Sequence, residues 1–81
     1  MGTFERSRKD GWTVRYTIDE HATRLLEVKG LVAHAVDNST DYGNLLARLV
    51  NEAALASVRM RTESIDEENK LISVVFEADA S

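Results

Sequence analysis

The chain contains no cysteine and no proline. Without cysteine it can form no disulfide, no thiolate nucleophile and no cysteine-ligated metal site. The absence also suits a reducing setting, so a cytoplasmic location is expected. Glycine occurs only at positions 2, 11, 30 and 43, and these make neither a phosphate-binding loop nor a dinucleotide fingerprint. No uncharged stretch approaches the length of a membrane-spanning helix. The N-terminal residues MGTFERSRKDG are charged and lack the apolar run of a secretory signal. None of the serines sits in a GxSxG elbow. The only histidines, His21 and His34, fall in neither an HxxxH nor an HExxH spacing. Either could in principle bind metal or act as a general base, but surface positions explain them as well. The sequence therefore predicts no enzymatic activity, cofactor or metal site.

Eighty-one residues make one domain, 1–81. A core of that size rarely supplies more than ~3–5 kcal/mol unaided. With the usual staples missing, self-association is a natural way to bury more surface. The formal net charge is −4, and it is uneven. Residues 1–36 carry six Lys or Arg against five Asp or Glu, whereas residues 37–81 carry four against nine. Such asymmetry can steer a partner or a second copy of the chain.

What the sequence does have is a strong amphipathic stretch, YGNLLARLVNEAALA, from Tyr42 to Ala56. Tyr42, Leu45, Leu46, Leu49, Val50, Ala53 and Ala54 share one helical face, and Arg48, Asn51 and Glu52 fall opposite. Such a helix needs a covering layer. Ahead of it, Asp37-Asn38-Ser39-Thr40-Asp41 reads as a loop, with Ser39, Thr40 or Asp41 as its N-cap.

Strand patterns flank this helix. Trp12, Val14, Tyr16 and Ile18 alternate with Thr13, Arg15 and Thr17, and Asp10-Gly11 signals a tight turn before them. Residues 3–18 are thus expected to form a β-hairpin. Residues 57–65 and 70–78 are expected to form another, around the acidic turn Asp66-Glu67-Glu68-Asn69. In its second strand Ile72, Val74 and Phe76 face one way; Leu71 and Val75 face the other, which predicts some cover on that side too. Residues 19–36 read as a helix with Leu25, Val28, Val32 and Ala35 on one stripe, interrupted or capped near Gly30. The rival is a third strand over 24–29 or 31–36. The expected fold class is α+β: a two-layer sandwich of about four mainly antiparallel strands, in two hairpins, with one or two helices on one face.

The octapeptide LVNEAALA, Leu49 to Ala56, resembles a helix in the lid subdomain of AAA+ ATPases, most of all the membrane-bound proteases. That family's phosphate-binding loop is missing and strand patterns flank the helix, so Asn51 and Glu52 inherit no role; the likeness is a common solution for an alanine-rich amphipathic helix. The functional expectation is a small non-enzymatic protein-interaction module, an adaptor, inhibitor or regulatory subunit, that self-associates. Its candidate contacts are the basic group Arg6, Arg8, Lys9 and Arg15 and the acidic group Asp66, Glu67 and Glu68. One alternative is single-stranded nucleic-acid binding by the four cations beside Trp12 and Tyr16. Two features oppose it: the alternation places both aromatics in the core, and the net charge is negative. Another alternative is a small-ligand site at a subunit interface, using His21 or His34.

Overall fold

The computed structural model describes residues 2–19 and 25–78. Four strands and two helices follow in the order β1 (Gly2–Ser7), β2 (Thr13–Ile18), α1 (Leu25–Asn38), α2 (Tyr42–Leu55), β3 (Val58–Asp66) and β4 (Leu71–Ala78). The strands form one sheet in the spatial order β1-β2-β4-β3.

Both hairpins form. β1 and β2 pair antiparallel, with Phe4 opposite Tyr16 and Glu5 opposite Arg15. The turn between them places Gly11 at φ +94°, a conformation that glycine adopts without steric cost. β3 and β4 also pair antiparallel, with a bulge between Thr62 and Ser64. The expectation of a mainly antiparallel sheet is corrected at the centre. There β2 and β4 run parallel, with Val14 beside Ile72, Tyr16 beside Val74 and Ile18 beside Phe76. The sheet is therefore mixed. The reason lies in the chain path: the two helices and β3 all intervene between β2 and β4, so β4 returns beside β2 in the same sense. Alternation reveals which face a residue takes, not the direction of its neighbour.

One face of the central strands carries the core. Val14, Tyr16 and Ile18 of β2 and Ile72, Val74 and Phe76 of β4 cluster with residues of both helices. From α1 come Val28, Leu31, Val32, Ala35 and Val36; from α2 come Leu45, Leu49 and Ala53. Trp12 is buried just before β2 and stacks on Tyr42 at 4.4 Å between ring centroids. The opposite face presents polar rungs: Thr3 with Thr17 at 3.2 Å, Ser7 with Thr13 at 2.9 Å, and Arg15 donating to Glu5 at 2.9 Å. Val75 is nonetheless buried there, between its cross-strand neighbours Thr17 and Arg61.

From Leu25 onward the ambiguous stretch is helix: α1 runs unbroken to Asn38, taking in Asp37 and Asn38 of the expected loop, and Gly30 neither caps nor interrupts it. Gly30 is exposed, and a Cβ there would meet nothing within 4 Å. Gly30→Ala is expected to raise stability by about 0.5–1 kcal/mol, because alanine restricts the unfolded chain at no cost in the helix. Chemical denaturation checks this through a higher midpoint at unchanged m-value. His21 lies outside the described residues.

Of the three candidate caps for α2, Asp41 takes the role. Its extended backbone precedes the helix, and its carboxylate accepts from the Asn44 amide at 2.7 Å. Asp41→Ala should cost about 1 kcal/mol, read as a lower thermal midpoint that Asp41→Ser largely restores. The expected face of α2 is too wide by two residues. Val50 is 51% exposed and Ala54 is exposed as well. The sheet stops at β3, so the outermost flank of the helix has no strand beneath it. On the face expected to be fully polar, Glu52 is half-buried and meets His34 of α1.

Candidate interaction surface

The β1–β2 turn, the α1–α2 loop and the β3–β4 turn are joined at one end of the domain by Arg8, Trp12 and Lys70. Arg8 is the fastener. Its side chain is only 10% exposed. Nε donates to Asp10 at 3.0 Å, one terminal nitrogen reaches the Ser39 carbonyl at 2.6 Å and the Ser39 hydroxyl, and the other reaches the Thr40 carbonyl at 3.2 Å. The planar guanidinium suits this fan of acceptors, which an ammonium could not match. Lys70 closes the third side: its Nζ donates to the Asp10 carbonyl at 3.1 Å, and its own carbonyl accepts from Thr13 at 2.9 Å.

The four cations expected to form a basic group are not one patch. Arg6 sits on the helix-side face of β1, opposite Val14, and grips Asp37 with bonds of 2.8 and 3.1 Å. Arg15 sits on the other face, against Glu5. Arg8 is held in the clamp, and Lys9 is exposed in the turn. Trp12 and Tyr16 are both buried, so neither offers an open ring face to a base. Near the clamp Ser7, Arg8, Lys9, Val36, Asp37 and Ser39 line an open cleft of about 570 Å³.

The acidic residues have separate duties. Asp66 accepts from the Asn69 amide at 3.1 Å and from its side chain at 2.8 Å, holding the turn. Glu67 accepts from the Tyr42 hydroxyl at 2.8 Å, and Glu68 is exposed. The bonds from Asn69 lower the Asp66 pKa, and the bond from Arg8 lowers that of Asp10. Carboxylates with depressed pKa values contribute stability above the unfolded aspartate range and lose it as pH falls through the folded value. The Tyr42 pKa is raised by its bond to Glu67, so that contribution holds below the ordinary phenol range and is lost in stronger alkali.

His34 is exposed and its Nδ1 faces the Glu52 carboxylate. No cluster of three or more His, Asp or Glu suited to a metal ion occurs among the described residues. No helix among them is long and apolar enough to cross a membrane.

The surface feature that residue-by-residue reading missed lies beside β3. Val50, Ala54, Val58, Arg59 and Met60 line a groove of about 230 Å³ between α2 and this strand. Further along β3, Ile65 is 42% exposed. Since β3 ends the sheet, its outer backbone edge has no strand partner among the described residues. The signal was present in the over-wide apolar face of α2. Comparison with protein-family models, curated proteins and solved structures returned no match.

Proposed function

We propose that this chain is a small protein-interaction module without catalytic activity of its own, a two-layer α+β domain that self-associates and serves as an adaptor, inhibitor or regulatory subunit in the cytoplasm. The observation that supports this reading best is the nine-residue edge strand β3 beside uncovered apolar residues of α2. Exposed strand edges pair with other strands, and apolar flanks add the burial that makes such pairing stable. The nucleic-acid alternative has less support. Arg6 and Arg15 lie on opposite faces in ion pairs and Arg8 is held in the clamp, which leaves Lys9 exposed in the turn, and the aromatics are in the core.

The test is sedimentation equilibrium at low and high salt, together with retention of proteins on the immobilised chain. The expected result is a defined multimer or a stoichiometric complex with another protein. A monomer up to high micromolar concentration that retains nothing contradicts the proposal. Salt-sensitive binding of an oligonucleotide would favour the alternative instead.

A further inference from the structure

We propose that β3 is the seam of a two-fold homodimer, in which Ile65 of each copy seats in the α2–β3 groove of the other. This rests on the self-association part of the reading above and identifies its surface.

In a regular strand Met60 and Ile65 would point to opposite faces, because side chains alternate. The extra residue between Thr62 and Ser64 reverses that parity. Met60 pairs with Phe76 and Ile65 with Ile72, and both of those are fully buried on the helix-side face. Met60 and Ile65 thus share that face, with the groove at one end of the strand and the exposed isoleucine towards the other.

Two copies of one strand, paired antiparallel about a two-fold axis, match each residue with its mirror position. The register that sets Met60 opposite Ile65 of the second copy also sets Arg59 opposite Asp66, and Arg61 opposite Ser64. Apolar Met60 therefore meets apolar Ile65 on the helix side, and Thr62 meets Glu63 at the axis. Guanidinium meets carboxylate on the open side, where Arg59 and Asp66 pair with Glu77 and Leu71 of β4. Directly opposed side chains lie about 4.5–5.5 Å apart at Cβ. Ile65 of the second copy then lies against Met60, inside the groove lined by Val50, Ala54 and Val58. Sliding the register by two residues sets Met60 against Glu63 or Glu67. Sliding it by one sets the helix-side face against the open face. Two arginines and a bulge ordinarily protect a sheet edge from pairing. Here they leave the edge complementary to itself and poorly matched to an unrelated flat strand. The dimer would carry one eight-stranded sheet, with the two bulges meeting at the axis.

Sedimentation equilibrium of the full chain and five variants tests the seam. The wild type should dimerise. Ile65→Lys and Val50→Glu, which charge the knob and the groove, should each weaken dimerisation by about a hundredfold, since one substitution removes two symmetry-related contacts. Arg59→Asp and Asp66→Arg should each weaken it by about tenfold, and the double swap should recover most of the loss. Arg59 also pairs with Glu77 and Asp66 with Asn69 within the chain. Circular-dichroism melts at concentrations below dimerisation therefore separate damage to the fold from damage to assembly. A dimer untouched by Ile65→Lys and Val50→Glu overturns the β3 seam and leaves self-association standing. A wild-type monomer at every concentration overturns both, and protein retention on the immobilised chain then decides the wider interaction reading.

Discussion

Phe76→Ala is expected to destabilise the domain by about 3–5 kcal/mol, enough to leave a large fraction unfolded at ordinary temperatures. A domain of this length has a total stability of roughly 4–12 kcal/mol at about 0.05–0.15 kcal/mol per residue. Phe76 is fully buried in a central strand, flanked by Ile18 on one side and Met60 on the other. The Tyr16 ring meets it edge-on, with centroids 6.1 Å apart and planes at 82°. Alanine would remove the largest fully buried side chain and open a cavity that two paired strands and two packed helices cannot collapse around. Phe76→Leu keeps most of the volume and should cost about 1–1.5 kcal/mol. Denaturant titration of both variants is the check. A loss below about 1 kcal/mol for alanine would mean that the core is not packed as described.

Arg8→Lys should produce the second large effect, a loss of about 1.5–3 kcal/mol despite the retained charge. Lysine supplies a point charge where the loops present the Asp10 carboxylate, the Ser39 carbonyl and hydroxyl, and the Thr40 carbonyl to a planar fork. A tetrahedral ammonium cannot serve all of them, and carbonyls half-shielded from water would lose their donors. Arg8→Met should cost at least as much. A second readout separates the clamp from general damage. The bond from Arg8 is the main cause of the lowered Asp10 pKa, so in Arg8→Met that pKa should rise towards the ordinary aspartate value in an NMR titration. Asp66 is held by Asn69 instead and should titrate as in the wild type. Asp10 unchanged, or both residues shifted together, would count against Arg8 as the fastener.

The clamp also shows where sequence reading reaches its limit. Arg6, Arg8, Lys9 and Arg15 read as a basic group because they are close along the chain. Alternation orders the faces within each strand, but only the register between β1 and β2, which sets Arg6 opposite Val14 and Glu5 opposite Arg15, puts Arg6 and Arg15 on opposite faces. Apart from Asp10, the acceptors that hold Arg6 and Arg8 lie thirty-one or thirty-two positions away, at Asp37, Ser39 and Thr40. Those residues were legible only as a polar loop. Trp12 and Tyr16 were legible as core from their shared face with Val14 and Ile18, and both are buried.

Local pattern alone determined the two hairpins, the central helix, the turn at Gly11 and the buried set Val14, Tyr16, Ile18, Ile72, Val74 and Phe76. Each of these is a matter of periodicity or of one residue's backbone preference, and both are written in adjacent positions. Tertiary structure alone decided three further things. It set β2 beside β4 in parallel, because strand direction follows from the path of the chain through both helices. It carried α1 unbroken past Gly30, because burial of Val28, Val32 and Ala35 outweighs a glycine's preference of about 1 kcal/mol. And it left Val50 and Ala54 uncovered while burying Leu45, Leu49 and Ala53 of the same face. An apolar stripe declares that something must cover it; which part is covered depends on where the sheet ends, and this one ends at β3.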